Sequence, residues 1–267
     1  MKVYDCFSFN DENELLEIRL NYLKNIVDYF VIIECKYTHQ GNIKGQKINL
    51  SLINKFKDKI KYFYLEEKIN STFSWEIESW QRSQISQGLK DCKPEDIIIV
   101  SDSDEIPNLE KINLKSLKNE VYAFNQYLLM YKLNLMTNRK WIGSKICKFS
   151  TLKSPQWLRQ LKVHKKYSIF RIDKIFSKTY CKNFKIIENG GWHFGWLKSP
   201  GRIIEKVQSY AHTEHNIPKF KDKSYIIQCI NQNINFLNGH EKLVRLKSEY
   251  LPKYIQLNLE KYKQWLI

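Results

Sequence analysis

Two short runs, YFVIIEC at 29–35 and DIIIV at 96–100, carry apolar residues at consecutive positions instead of alternate ones. A strand that is apolar on both faces has to be covered on both, as a central strand of a helix-sandwiched parallel sheet is. The segments between them carry the other half of that pattern. NELLEIRLNYLKNIVDYF sets Leu16, Leu20, Leu23, Val27 and Phe30 at helical spacing, and WEIESWQRSQISQGLKDC does the same with Ile77, Trp80, Ile85 and Leu89. KVYDCFSF, QKINL and IKYFYLE read as further extended pieces. Strands alternating with helices through residue 105 predict an α/β fold with a mainly parallel central sheet flanked by helices.

Beyond residue 110 the runs become long and aromatic. VYAFNQYLLMYKLNL, WIGSKICKFSTL, YSIFRI and FKIIENGGWHFGWL read as a second, mixed part of the same domain. A helix is predicted from Gly201 to about His212, and two C-terminal helices at about 224–238 and 240–265. The expected organisation is one domain over 1–223, in halves 1–110 and 111–223, with a helical extension over 224–267.

With 43% hydrophobic and 14% aromatic residues in 267, the chain is globular, not disordered. No stretch approaches the roughly 20 apolar residues of a membrane span, and MKVYDCFSFNDENE lacks the apolar core of a signal peptide. The expectation is a cytoplasmic protein, peripheral to the membrane at most. Six cysteines, Cys6, Cys35, Cys92, Cys147, Cys181 and Cys229, stand singly, which suggests free thiols and neither a zinc site nor a disulfide framework. A net charge of +16 suits polyanions, anionic membrane surfaces or phosphorylated small molecules; a lysine-rich compositional habit explains it equally well.

DIIIVSDSDEIP runs its apolar stretch into Asp102, Asp104 and Glu105 before stopping at Pro107. In open α/β sheets, ligands bind beyond the carboxyl ends of the strands. Two carboxylates spaced i, i+2 in an extended segment point to one side, an arrangement that is costly unless a cation neutralises it; Mn²⁺ or Mg²⁺ is the usual solution. The plain alternative is a solvated turn or a helix N-cap, with Asp104 or Asn108 capping the segment after Pro107.

Six segments, YDCFSFNDENELLEIRL, VDYFVIIECKYTHQGNIK, WQRSQISQGL, DIIIVSDSDEIP, NGGWHFGW and KVQSYAHTEHN, in this order and spacing, make residues 3–215 resemble glycosyltransferase family 17, the family of β-1,4-mannosyl-glycoprotein 4-β-N-acetylglucosaminyltransferase-like enzymes. The resemblance implies a GT-A type nucleotide-sugar-binding fold with residues 1–110 as its nucleotide-binding half and 111–223 as its acceptor and catalytic half. It also implies a D-x-D metal site for Mn²⁺ or Mg²⁺, a UDP-sugar donor and inversion at the anomeric carbon. The acceptor transfers less readily: a glycan, glycolipid or glycoprotein is expected, and no nucleic acid.

Carried over by position, the resemblance puts Asp11 and Glu12 beside the donor nucleotide, where the family's usual Asn-Glu reads Asp-Glu. It puts Glu34 on uracil or ribose, Arg82 on the diphosphate or the aspartates, and Asp102 and Asp104 on the metal, with Asp102 shared between metal and ribose. Glu105 would stand behind them or start a helix. Arg202 and Lys206 would oppose the negative charge that grows on the diphosphate as the glycosidic bond lengthens. His193 and His212 are the imidazoles that would complete the metal shell, and Trp192 and Trp196 a platform for a sugar ring. Gly190, Gly191 and Gly195 mark a sharp bend or a close backbone approach. Glu188, then Glu214, are the candidates for the base that takes the acceptor hydroxyl's proton. For each residue the bland alternative is a solvated, capping or packing role. The rival functions are a nucleic-acid-binding protein or metal-dependent nuclease, and a catalytically silent glycan-binding protein.

Overall fold

A computed structural model of the chain describes residues 1–162 and 184–267; the YSIFRI run and Cys181 lie outside the described residues. β1 (Val3–Phe9), β2 (Tyr29–Cys35), β3 (Ile60–Leu65) and β4 (Ile97–Asp102) stand side by side in the order β3-β2-β1-β4, all parallel. Between them run α1 (Asn13–Leu23), α2 (Leu50–Lys55) and α3 (Ser74–Ser83), the last continued by a 3-10 turn over Gln84–Leu89. Successive side chains of a strand go to opposite faces. Val3, Phe7, Ile97 and Ile99 join Leu16 and Leu20 in one core layer, while Tyr4, Cys6, Ile98 and Val100 meet Ile85 and Leu89 in the other. Cover on both faces is why these runs are apolar without interruption. QKINL is not a strand: the backbone N–H groups of Lys47 and Ile48 turn to the Glu34 carboxylate, and the Asn49 side chain caps α2.

The second half departs from a mainly parallel sheet. β5 (Glu105–Pro107) is short, and β6 (Val121–Met130) and β7 (Leu135–Lys148) form an antiparallel hairpin whose second strand lies antiparallel to β4. The connection through Tyr131–Asn134 is far too short for the crossover that a parallel pair requires, so the strand direction reverses here. After α4 (Pro155–Gln160), β8 (Phe184–Ile187) and β9 (Gly191–Trp196) both run parallel to β6, and β5 closes antiparallel on β9. The result is one mixed sheet in the order β3-β2-β1-β4-β7-β6-β9-β5, with β8 paired to β6. Gly191 begins β9 with φ +131°, and a Cβ there would lie 2.2 Å from the Ile106 carbonyl oxygen, so the β5–β9 pairing closes only around a glycine.

α5 (Pro200–Ser209), α6 (Pro218–Lys221) and α7 (Lys223–Asn231) come next along the chain. Of the two C-terminal helices expected, the first forms but ends early, as α7 at Asn231, and the second, over 240–265, does not form. Asn233 and Gly239 take left-handed backbone conformations after α7, and the chain then pairs β10 (Val244–Arg245) with β7. Pro252 limits the helical structure of the tail to α8 (Lys253–Gln256) and single turns. Leu246, Leu251, Ile255 and Tyr262 of this tail are buried against Leu15 and Ile18 of α1. Among the described residues no helix is long and apolar enough to cross a membrane.

One buried cation ties α1, β1 and the end of β4 together. Arg19 of α1, fully buried, donates through Nε and Nη2 to the two oxygens of Asp5 (2.7 and 2.6 Å) and through Nη1 to the carbonyls of Asp102 (3.1 Å) and Glu105 (2.7 Å). Its guanidinium carbon sits 4.1 Å over the Phe7 ring. Arg19→Met leaves the Asp5 carboxylate alone in the core, and urea unfolding is expected to show a loss of about 3–5 kcal/mol. The double variant Asp5→Leu/Arg19→Met, which buries no charge at the pair, is expected to recover most of that loss.

Candidate functional site

The site forms where β4 ends. The backbone does not stay extended through the acidic run: Asp102 is the last residue of β4, Ser103 and Asp104 make a turn, and Glu105 opens β5 opposite His193. Glu105 therefore starts a strand and not a helix, and Asn108, not Asp104, caps the turn after Pro107. Asp102 Oδ1 accepts from Arg82 Nη2 (3.1 Å) and its Oδ2 from Arg159 Nη2 (2.5 Å). Glu105, wholly buried, accepts from Trp141 Nε1 (2.6 Å) and Arg159 Nη2 (2.9 Å), and its other oxygen takes the Asp102 N–H (3.2 Å). Asp104 Oδ2 accepts from Lys206 Nζ (2.8 Å), and its Oδ1 lies 3.5 Å from His193 Nε2. The cost of crowding carboxylates is met here by guanidinium and ammonium groups of the same chain.

Burial acts to raise the pKa of both aspartates, but the cations outweigh it: Arg159 and Arg82 hold Asp102, and Lys206 and His193 hold Asp104, below the usual carboxylate range. The Asp102 side chain remains 35% exposed against 9% for Asp104, so Asp102 is the open member of the pair.

The loop after β1 closes a second wall. Asp11 accepts from Lys198 Nζ and from Arg202 Nη2 (2.9 Å). Burial would raise its pKa, yet Lys198 and Arg202 bring it down to about 2. Glu12 Oε2 accepts from Ser103 Oγ (2.9 Å), and its Oε1 lies 3.7 Å from Lys198 Nζ and 4.0 Å from Lys206 Nζ, which links this loop to the aspartate turn. Glu34, at the end of β2, is fully used: it accepts from Lys44 Nζ (3.1 Å), Lys47 N–H (2.5 Å), Ile48 N–H (3.4 Å) and Tyr62 Oη (2.8 Å). It thus fixes the segment 44–48 above the strand ends.

Other expected residues separate from this centre. Glu188 is exposed and engages Asn125 (2.8 Å) and Lys140 (3.6 Å). His212 Nδ1 lies 2.6 Å from Glu214 Oε1, and its ring meets Trp75 edge-on; among the described residues it makes no contact with Asp102 or Asp104. Trp192 and Trp196 are buried, not a platform: Trp192 Nε1 donates to the Tyr250 carbonyl (2.7 Å), and Trp196 packs edge-on against Tyr210 and Phe236. Gly195 leaves room for the His193 ring, whose Nε2 would be 3.2 Å from a Cβ there.

The sequence pattern left out several participants. Arg159 lies in α4 after an N-cap serine and a proline, a legible helix start, but nothing in that segment says that its fifth residue reaches Asp102. Lys145, buried on β7, donates from Nζ to the Arg159 carbonyl (2.5 Å); burial and the neighbouring Arg159 bring its pKa down to about 7. His39, in the loop after β2, feels Glu78, Arg82, Asp102 and Glu12, with its pKa lowered chiefly by burial. Lys198 was hidden because its partner Asp11 lies at the other end of the domain.

Among the described residues, no three His, Cys, Asp or Glu side chains converge on a ready-made metal cage. Magnesium-type ions that arrive with a phosphorylated substrate use one or two carboxylates and the phosphates instead. The donors present fit that case: two adjacent carboxylates, one of them open, beside an imidazole whose Nδ1 is buried without a hydrogen-bond partner.

The profile of glycosyltransferase family 17 matches residues 1–239. The chain is 21% identical over 294 aligned residues to the β-1,4-mannosyl-glycoprotein 4-β-N-acetylglucosaminyltransferase of Rattus norvegicus, covering 99% of this chain and 54% of that protein. With the Homo sapiens protein of the same name it is 26% identical over 143 residues, covering 49% of this chain and 27% of that one. The chain thus spans about half the length, or less, of these relatives. Among solved structures, HddC from Yersinia pseudotuberculosis aligns over 70% of this chain and 90% of its own, with a TM-score of 0.36 and 11% identity.

Asp11, Asp102 and Asp104 have folded pKa values below their unfolded ones, so the stability they contribute is present above about pH 4 and is lost as pH falls through the depressed values. For Asp11 that window runs from 3.8 down to about 2. Thermal unfolding followed against pH is expected to fall less steeply across this window in Asp11→Asn than in the parent.

Proposed function

Because the chain belongs to glycosyltransferase family 17, we propose that it transfers a sugar, with N-acetylglucosamine the first candidate, from a UDP-sugar to a hydroxyl of a glycan, glycolipid or glycoprotein, inverting the anomeric carbon and using Mn²⁺ or Mg²⁺. The observation that carries this reading is the Asp102–Ser103–Asp104 turn at the carboxyl end of a central parallel strand, enclosed by Arg82, Arg159, Lys198, Arg202 and Lys206.

Charge balance supports the need for a metal. Among the described residues, Asp11, Glu12, Glu14, Glu78, Asp102, Asp104 and Glu105 set seven negative charges against the five cations just named. A diphosphate entering a site whose cations are already matched brings uncompensated charge. Asp102, Asp104 and His193 are the residues that would hold the ion, which supplies positive charge to the diphosphate oxygens when bound. Arg202, near the start of α5, and Lys206, in its last turn, oppose the charge that develops on the leaving oxygen. Arg82 and Arg159 keep Asp102 ionised and oriented, and Lys145 fixes the backbone of Arg159. Glu34 acts by holding segment 44–48 over the nucleoside, since its oxygens are already taken by that segment and Tyr62.

For the acceptor proton, Glu214 acts through His212. Its carboxylate holds Nδ1 at 2.6 Å and leaves Nε2 as the accepting nitrogen. Glu188 has no comparable arrangement, being engaged with Asn125 and Lys140 at the surface.

The test is a panel of UDP- and GDP-sugars with Mn²⁺, read by thermal stabilisation and by UDP release. A UDP-sugar is expected to raise the melting temperature, and Asp104→Asn to lower metal-stimulated UDP release by about 10²-fold or more. Absence of stabilisation by every UDP-sugar tested, with metal present, would remove the proposal.

A further inference from the structure

Trp75, Glu78 and Arg82 stand at i, i+3 and i+7 of α3, so they share one face of the helix. Arg82 ends that stripe on Asp102, and Trp75 lies about 10 Å back along the axis at roughly 1.5 Å per residue. The indole is 50% exposed, although it belongs to a face that leads into the site.

Three segments brace this end of the cleft. The Ser74 hydroxyl, buried, donates to the Ala211 carbonyl (2.8 Å) and pins the start of α3 to the chain following α5. Gln40 Nε2 donates to the Tyr210 carbonyl (3.1 Å), and Gln81 Nε2 to the Tyr37 carbonyl (3.1 Å), which ties the loop after β2 to both. That loop carries His39, which senses Glu78 and Arg82. Across from Trp75, the His212 ring meets the indole at 4.7 Å and 85°, stacks on His215 at 5.5 Å, and is held by Glu214.

The surface so formed is neither a core nor a greasy patch. It offers one broad aromatic ring, with a carboxylate and an imidazole at its border, fixed by hydrogen bonds between buried and backbone groups. A pyranose ring has the matching chemistry, with an apolar C–H face to lie on an indole and hydroxyls around its edge for Glu78 and His212. We propose that Trp75 and His212, bordered by Glu78, form the subsite that binds the acceptor's terminal sugar ring. This rests on the reading of the chain as a sugar transferase. It deepens that reading by naming the acceptor as a pyranoside that stacks on Trp75, one helix length from the aspartate turn.

The probes are methyl β-N-acetylglucosaminide, methyl α-mannoside and methyl β-galactoside. Their binding to the full chain is followed by saturation-transfer NMR and tryptophan fluorescence in the presence of UDP and Mn²⁺, and UDP binding is measured separately by calorimetry. At least one pyranoside is expected to bind, Trp75→Ala to weaken it about tenfold, and Trp75→Phe to retain most of the affinity. UDP affinity is expected to stay within about twofold in both variants, which also shows that they fold. Pyranoside binding equal in the parent and Trp75→Ala, or no pyranoside binding while UDP binds, overturns the subsite and leaves the donor reading intact. Pyranoside binding lost in Trp75→Ala, in a chain that no UDP-sugar stabilises, supports the subsite and overturns the transferase reading.

Discussion

The Arg19–Asp5 pair is the constraint on which the rest of the molecule depends. A guanidinium with no exposure to solvent is tolerated only because two carboxylate oxygens and two backbone carbonyls accept hydrogen bonds from its N–H groups. Those carbonyls belong to Asp102 and Glu105, on either side of the acidic turn. The group that neutralises the first strand therefore also sets the path by which the fourth strand leaves the sheet. Had the chain simply stayed extended, Asp102 and Asp104 would have pointed the same way and Glu105 away from them. The turn instead sends Glu105 under the sheet to Arg159 and Trp141 and gives each aspartate its own cations.

That division shapes the electrostatics of the site. Arg82 and Arg159 arrive from α3 and α4 on the side of Asp102, and Lys206 arrives from α5 on the side of Asp104. Each carboxylate is ionised and held, so little reorganisation is needed when further charge enters the cleft. Lys198 and Arg202 do the same for Asp11, and Glu12 bridges that loop to Ser103. The third wall, formed by the loop after β2 and the chain beyond α5, is fastened to α3 by side-chain to backbone hydrogen bonds and carries neutral or aromatic groups in the main. One side of the site is accordingly lined by paired charges and the other mainly by neutral and aromatic groups.

Particular residues show how far the pattern reached. β2 and β4 were legible because burial on both faces demands nearly unbroken apolar runs, and the acidic turn stood out because it breaks such a run at a strand's end. The last C-terminal helix was misread because the leucines and tyrosines of 240–265 satisfy a helical period while Pro252 divides the segment, and pairing β10 with β7 ties down its start. Trp192 and Trp196 drew attention as aromatics beside glycines, yet the glycines serve the close approach of β9 to β5 and to His193, and the tryptophans fill the core beside them.

By itself the sequence determined the alternation of strand and helix, the parallel character of the first sheet half and the position of the carboxylates at a strand terminus, because periodicity and polarity are local properties of the chain. Only the tertiary structure decided which cation meets which carboxylate, that the sheet turns antiparallel at β7, and that Trp75 and His212 meet edge-on beside the site. Those outcomes depend on contacts between residues such as Asp11 and Lys198 or Asp102 and Arg159, far apart in the chain, whose meeting is fixed by how the layers pack and not by any spacing along it.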